Sequence, residues 1–114
     1  MKPVFYVPER GDLVLVSFAP RSGRAGAAGR RPAAVLSPQA YNGRVGLALL
    51  CPVVTEVTGY PFEVALPPGL PVQGVLLADQ AECFDWRALR AERIASLPVP
   101  VVEETLGKLR ALLA

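Results

Sequence analysis

The run VGLALLCPVV, residues 45–54, is the stretch that most clearly decides the fold of this chain. It is rich in Val and Leu, and Gly43 and Pro52 stand near its two ends, so the composition favours a buried strand over a helix. Similar short apolar runs stand on either side, separated by Gly- and Pro-rich turns. We therefore predict further strands within residues 13–18, 31–36, 62–66, 72–78 and 83–86, with Pro32 at a strand start or edge.

The C-terminus changes to a helical period. Five apolar side chains fall on one helix face, and they are Val102, Leu106, Leu109, Leu112 and Leu113. A helix over 101–113 would carry Glu103 and Glu104 in its first turn and Lys108 and Arg110 late, which suits the helix dipole. Many short strands and one terminal helix predict a mainly β fold, a small β-barrel capped by the C-terminal helix.

Two connections between the predicted strands also have local patterns. Residues 41–44, Tyr-Asn-Gly-Arg, predict a turn between two strands, since Asn and Gly favour turn conformations. Residues 87–93 predict one or two helical turns after the last strand. The whole chain, 1–114, is expected to form a single domain.

Composition limits the classes of function. The chain has 52% hydrophobic and 19% charged residues, so it can bury a packed core. Its net charge is only +2, so a polyanionic partner must be met by a local basic patch. The N-terminus lacks the apolar region of a signal peptide, and no apolar run reaches the roughly 20 residues of a membrane span. A cytoplasmic protein without membrane association is expected.

Histidine is absent, and cysteine occurs twice. Without histidine, paired-histidine catalysis, histidine-based triads and most metal sites are excluded. Cys51 and Cys83 lie in apolar runs and are interpreted as small core residues in a reducing compartment. The pattern predicts neither a metal site nor a cofactor.

Residues 19–31 form the strongest local pattern, a flexible basic loop. Its Gly, Ala and Pro residues surround Arg21, Arg24, Arg30 and Arg31, with no acidic residue. Guanidinium groups on such a loop could grip phosphates in pairs of hydrogen bonds, although a merely solvated surface loop is the alternative. Arg31 stands at the junction with a strand, where a more rigidly held side chain could stabilise the charge of a transition state.

Other candidate RNA-binding residues follow later in the chain. Trp86 and Arg87 could stack on unpaired bases, although a core position for Trp86 is the alternative. Asp79 and Gln80, at a strand end, could recognise base edges or cap a turn. The hydroxyls of Ser37 and Thr55 are candidates for proton transfer. The predicted RNA-binding set comprises Arg21, Arg24, Arg30, Ser37, Asp79, Gln80, Trp86 and Arg87.

A series of short motifs resembles the MazF/PemK family of toxin endoribonucleases. They occur in the family's order across nearly the whole chain: YVP at 6–8, GDL at 11–13, RPA at 31–33, LSP at 36–38, YN at 41–42, GYPFEV at 59–64, LADQ at 77–80 and WR at 86–87. Each motif is weak by itself, whereas the ordered series is specific.

The resemblance implies an SH3-like barrel of the kind shared with CcdB-type gyrase poisons, and a homodimer. It implies metal-independent cleavage of single-stranded RNA, whether mRNA or rRNA, at short sequences. In that family the ribose 2′-hydroxyl attacks the neighbouring phosphate and leaves a cyclic phosphate and a free 5′-hydroxyl. The implied partner is a cognate MazE-type antitoxin, whose acidic C-terminal segment occupies the RNA groove.

Of the family's two catalytic residues, the arginine is present in this chain and the threonine is replaced. The family's catalytic arginine corresponds to Arg31, for which we favour charge stabilisation because arginine is essentially never deprotonated in proteins. The family's catalytic threonine falls on Val54, and Thr55 follows one residue later. Because successive strand residues face opposite sides, Thr55 can serve only after a bulge or register shift. The alternatives are that Ser37 or a bound water molecule replaces the threonine, or that this protein is a slow enzyme, and we favour Thr55.

Two other functions fit such a barrel. One is a CcdB-like gyrase-poisoning toxin without nuclease activity, which would use its final residues to bind gyrase. The other is an SH3-like adapter without activity, for which the motif series would be coincidence. The amphipathic stretch 108–114 is expected to pack on the barrel, which favours the nuclease over the gyrase poison.

Overall fold

A computed structural model describes residues 6–17 and 29–114. The predicted basic loop lies largely outside these ranges. In chain order the elements are β1 (Asp12–Ser17), β2 (Arg30–Val35), α1 (Gln39–Val45), β3 (Ala48–Val54), β4 (Glu63–Ala65), β5 (Val75–Leu77), a 3₁₀ turn (Ala78–Gln80), β6 (Glu82–Phe84), β7 (Glu92–Ser96) and α2 (Val99–Ala111).

The strands form one antiparallel sheet in the order β4-β5-β3-β2-β1-β7, with β6 also paired to β3. β3 is its centre: β2 pairs along one side, while the other side is shared by β6 and then β5. The mainly β fold with a C-terminal helix is confirmed. β4 and β7 are the two edge strands. In the part of the chain that the structure describes they do not pair with each other, so the predicted barrel is open rather than closed.

Alternation along the strands builds two cores, one on each face of the sheet. Helix α2 contributes Val102 to the first core, and Trp86 belongs to the second. The first also contains Leu13, Ala34, Leu36, Cys51, Val64, Leu66, Leu76 and Leu97. The second also contains Val14, Val16, Ala33, Val35, Ala48 and Leu50. Since neighbouring residues such as Ala33 and Ala34 belong to different cores, the face of each strand residue is well defined.

The predicted turn at residues 41–44 is wrong, because these residues lie inside helix α1. The helix ends at Gly46, whose φ of 86° is the left-handed conformation that glycine adopts without strain. Asn42 is fully buried, and its side-chain amide donates to the carbonyls of Pro8 (2.8 Å) and Ser37 (3.0 Å). These distant contacts outweigh the local turn preference of Asn-Gly.

We expect Asn42→Ala to lower the free energy of unfolding by about 2–3 kcal/mol, because it leaves buried carbonyl groups without donors. The Ser37 hydroxyl, which donates to Asn42 Oδ1 at 2.5 Å, also loses its acceptor. Gln39→Ala is the matched control, since its amide makes one exposed bond, to the Val7 carbonyl. Urea denaturation should separate the two variants, and equal losses would contradict this role for Asn42.

The predicted helical turns at residues 87–93 are only partly correct. A hydrogen-bonded turn does occupy 87–90, but Arg93 belongs to β7, a strand that the sequence analysis missed. β7 pairs with β1 across an irregularity between Leu13 and Val14. As a half-exposed edge strand it carries Glu92 and Arg93 at its start, and that polarity conceals the strand pattern.

The C-terminal helix is confirmed, but it begins and ends two residues earlier than predicted. Pro98 and Pro100 stand at its start, where proline is tolerated because the first N–H groups have no helical partner. Glu103 and Glu104 therefore lie beyond the first turn. The expected packing of residues 108–114 on the barrel is only partly correct: Leu109 packs against the first core, whereas Leu112 is 48% and Leu113 82% exposed. No helix among the described residues is long and apolar enough to cross a membrane.

The two cysteines occupy different environments. Cys51 is a core residue as predicted, and its thiol donates to the Leu77 carbonyl at 3.1 Å. Cys83 is exposed, so its predicted core position is wrong. It lies on β6, a three-residue strand that pairs with β3 alone among the described residues, so the other edge of β6 has no strand partner.

We expect iodoacetamide to modify Cys83 rapidly and Cys51 slowly in the folded protein. Burial, together with the nearby Asp79 carboxylate, raises the pKa of the Cys51 thiol to about 12, so little reactive thiolate is present. Peptide mass spectrometry over time measures both rates, and the denatured chain is the control in which both thiols react. Equal rates in the folded protein would contradict this difference.

Candidate functional site

Arg30 and Arg31 are neighbours on β2 with different surroundings. Arg30 hydrogen-bonds Ser17 Oγ at 2.9 Å, the carbonyls of Leu15 and Arg90, and the Glu92 carboxylate at 3.2 Å. Its guanidinium therefore ties β1, β2 and β7 together. The Arg31 side chain lies on the opposite face, exposed, with no hydrogen-bond or ion-pair partner among the described residues. Of the two, Arg31 is the one that can bind a ligand without breaking an existing contact.

Arg31 stands at the rim of a cavity of about 290 Å³, which we call the Arg31 groove. Apolar side chains of β1, β2 and β3 line most of it, and three polar side chains, Arg31, Gln80 and Glu82, stand around them. Its lining comprises Val16, Arg31, Pro32, Ala33, Leu50, Pro52, Val53, Val54, Leu77, Gln80, Glu82 and Phe84.

The sheet register explains why these residues meet. Ala33 pairs with Pro52; Arg31 lies two residues before Ala33, and Val54 lies two residues after Pro52, so all four share one face. On the other side of β3, the chain runs from β5 through the 3₁₀ turn into β6. Gln80 ends that turn, and Glu82 begins β6 opposite Leu50. Arg31 thus approaches the groove from one side of β3, and Gln80 and Glu82 approach it from the other.

A second cavity, of about 400 Å³, adjoins the groove and shares Val54, Leu77 and Gln80 with it. We call it the acidic pocket, because its other lining residues are Glu56, Thr58, Tyr60, Glu63 and Asp79. The acidic pocket gives one end of the groove a negative charge that will repel phosphate. No local sequence pattern indicates this pocket, because its acids are separated by up to 23 positions and come together only through the β4–β5 pairing.

Hydrogen bonds organise the acidic pocket. The Glu63 carboxylate accepts from the Thr58 hydroxyl (2.7 Å) and from the Thr58 and Gly59 amides (3.1 Å each), and these bonds lower the pKa of Glu63. The Tyr60 hydroxyl donates to Asp79, which raises the pKa of Tyr60. Both acids thereby hold the loop between β3 and β4 in place. Asp79 already has a partner on one carboxylate oxygen, which leaves Gln80 as the more accessible of the two predicted base-recognising residues.

The structure does not bring Thr55 to the groove. β3 ends at Val54, and the pairs Val53–Leu76 and Val54–Val75 are consecutive, with no bulge. Val54 lines both cavities, whereas the exposed Thr55 lines neither. The expected slippage that would turn Thr55 inward is therefore wrong: the register is regular to the end of β3, and Thr55, one residue past the strand, lines neither cavity.

Two other predicted site residues are structural. Ser37 is buried, and its hydroxyl accepts from the Leu49 amide at 2.8 Å while donating to Asn42. Trp86 is 4% exposed and donates to the Asn42 carbonyl at 2.9 Å, so its alternative interpretation as a core residue is the correct one. Both positions leave these side chains without a free surface for RNA.

The remaining predicted residues lie away from the groove or outside the described ranges. Arg87 is exposed, with its guanidinium 5.0 Å from the centre of the Trp86 ring, and it does not line the groove. Arg21 and Arg24 lie outside the described residues. Within residues 6–17 and 29–114, no three Cys, Asp or Glu side chains are grouped so that they could hold a metal ion.

Comparisons with known proteins agree on one family. Residues 9–113 match the sequence profile described as PemK-like, MazF-like toxin of type II toxin–antitoxin system. The chain is 42% identical over 108 residues to the endoribonuclease toxin MazF of Escherichia coli K12, covering 95% of this chain and 96% of that one. It is 39% identical over 108 residues to the endoribonuclease toxin ChpB of the same strain, covering 90% and 91%.

Solved structures give the same result. The chain superposes on a crystal structure of MazE-MazF from Deinococcus radiodurans with a TM-score of 0.90 and 52% identity, covering 96% of this chain and 97% of that one. A second crystal form of that complex gives a TM-score of 0.88 and 53% identity, with coverage of 95% and 97%. The fold is therefore similar to that of these proteins.

Proposed function

Because the chain belongs to the PemK-like, MazF-like toxins of type II toxin–antitoxin systems, we propose that this endoribonuclease cleaves single-stranded RNA at short specific sequences. Its substrates are mRNA or rRNA in the cytoplasm. The ribose 2′-hydroxyl attacks the adjacent phosphate, and the products are a cyclic phosphate and a free 5′-hydroxyl. The reaction needs no metal ion, since the nucleophile belongs to the RNA itself.

The observation that carries this proposal is the position of Arg31. Its exposed guanidinium has no partner among the described residues and stands at the rim of the Arg31 groove. Arginine remains protonated in proteins and offers a fork of N–H donors. A scissile phosphate seated in the groove would receive those donors as its negative charge increases in the transition state.

Binding and recognition of the RNA are assigned to other groups. The Gln80 amide, exposed in the groove, can donate to and accept from a base edge. Arg21 and Arg24 are proposed to contact phosphates along the strand, an attraction that weakens as salt increases. Arg30 is not included, because its guanidinium already makes four hydrogen bonds within the fold.

We assign two protein partners. One is a cognate MazE-type antitoxin, whose acidic extended segment would occupy the Arg31 groove in place of RNA. The other is a second copy of this chain, in a homodimer. The support is the likeness to the MazE-MazF structures of D. radiodurans, at 52% and 53% identity.

Incubating the purified protein with a long single-stranded RNA in the presence of EDTA tests the proposed activity. We expect a small number of discrete fragments whose pattern is unchanged by EDTA. The same RNA annealed to its complement should resist cleavage. An uncut single strand, or a random ladder of fragments, would contradict the proposal.

A further inference from the structure

The Arg31 groove contains few groups that can accept a proton. Val54 lines the groove at the position that corresponds to the family's catalytic threonine, and its isopropyl group exchanges no proton. Arg31 is an unsuitable acceptor, because its guanidinium is already protonated. Among the described residues that line the groove, the remaining titratable side chain is Glu82.

The sheet places Glu82 across β3 from Arg31. Glu82 pairs with Leu50 on one side of β3, and Ala33, two residues after Arg31, pairs with Pro52 on the other. Both side chains line the groove and both are exposed. Neither has an ion-pair or hydrogen-bond partner among the described residues, so both remain available to a ligand in the groove.

The other carboxylates nearby are less suitable. Glu63 is occupied by the Thr58 and Gly59 donors, and Asp79 accepts from Tyr60. Together with Glu56 they line the acidic pocket and not the groove itself. Glu82 therefore differs from these three acids, because its carboxylate has no partner among the described residues and it lines the same groove as Arg31.

From this arrangement we infer that Glu82 is the catalytic base of the RNA cleavage assigned to this protein, an inference that rests on the proposed function. The Glu82 carboxylate takes the proton from the 2′-hydroxyl as the bond from the 2′-oxygen to phosphorus forms. The bond from phosphorus to the 5′-oxygen breaks, and that oxygen takes a proton from water. Glu82 then releases its proton to solvent, and Arg31 stabilises the phosphate throughout.

Glu82→Gln should lower the single-turnover rate of cleavage by about 10²–10⁴-fold, the usual contribution of a general base. Binding of an RNA that carries 2′-deoxyribose at the cut site should change less than about threefold, because the amide preserves the shape of the side chain. Glu103→Gln is the matched control and should keep the wild-type rate, because Glu103 is an exposed acid on α2 that does not line the groove.

Two further measurements separate a proton acceptor from a structural role. Added formate should raise the cleavage rate of Glu82→Ala at least tenfold, because a small carboxylate can occupy the space that the substitution opens. The Glu82→Gln defect should persist on RNA with a 5′-bridging sulfur, whose leaving group needs no proton. Absence of rescue, or disappearance of the defect on the sulfur substrate, would overturn the assignment.

Comparing the cleavage rates of wild-type protein and Glu82→Gln also separates this inference from the proposed function. If wild-type protein cleaves RNA and Glu82→Gln cleaves at the same rate, the role of Glu82 is overturned while the nuclease activity stands. If wild-type protein leaves single-stranded RNA intact, the proposed function itself fails. Loss of RNA binding in Glu82→Gln would also overturn the inference, since it would assign Glu82 to recognition.

Discussion

Arg31→Ala should lower the rate of RNA cleavage by about 10²–10³-fold, similar to the loss of one oxyanion-stabilising donor in other enzymes. The reason is positional: the Arg31 guanidinium faces the groove and makes no contact that the fold needs among the described residues. Arg31→Lys should recover only part of the rate, because an ammonium keeps the charge but loses the planar pair of donors.

The stability of the Arg31 variants should remain within about 0.5 kcal/mol of wild type, as expected for an exposed side chain without partners. Arg44→Ala is the matched control, an exposed arginine on α1 away from the groove. Single-turnover rates on one RNA, together with urea denaturation, measure both properties. A folded Arg31→Ala protein that cuts at the wild-type rate would remove Arg31 from the mechanism.

Gly74→Ala should lower the free energy of unfolding by about 4 kcal/mol, because two penalties add at this position. Its φ of 131° lies in a region that other residues rarely adopt, and an added Cβ would stand 2.1 Å from the Val54 carbonyl oxygen. Either the β3–β5 pairing or the end of β3 must move. Since Val54 lines the groove, cleavage should fall as well.

Gly69→Ala is the control for Gly74. Gly69 also has a positive φ, 95°, but a Cβ there would meet open space, so only the conformational penalty of about 1–2 kcal/mol remains. Urea denaturation of the two variants isolates the cost of the clash. Equal losses would show that the contact with Val54 is relieved without disturbing the sheet.

Much of the sheet could be predicted from local patterns. The apolar runs around β1, β2 and β3 are short, and their burial on two faces matches the alternation of their side chains. Pro32 is the third residue of β2, so it lies near the strand start as predicted, but β2 is an interior strand and Pro32 pairs with Leu15 of β1.

Other features depend on contacts that no local pattern contains. Asn42 has the sequence context of a turn, but its amide is held by Pro8 and Ser37 inside a helix. β7 was missed because an edge strand tolerates charged residues such as Glu92 and Arg93. In both cases tertiary contacts outweigh intrinsic preference.

The candidate site likewise contains one residue that local sequence predicts and others that depend on the assembled sheet. Arg31 could be predicted because it follows a glycine-rich segment and lies near the start of a strand, and both features are local. The choice between Val54 and Thr55 required the register of β3 with β5, which only the assembled sheet provides. Glu82 was missed for a related reason: it enters the groove through pairing with Leu50, 32 positions earlier in the chain.

The central claim is that the RNA supplies its own nucleophile, and replacing a single 2′-hydroxyl tests it directly. Once the cut site is mapped, an oligonucleotide with one 2′-deoxynucleotide on the 5′ side of the scissile phosphate should bind but remain uncut in EDTA. The all-ribose oligonucleotide should give a cyclic phosphate and a 5′-hydroxyl that polynucleotide kinase labels without prior phosphatase treatment. Cleavage of the deoxy-substituted strand, or products with a 5′-phosphate, would contradict the account.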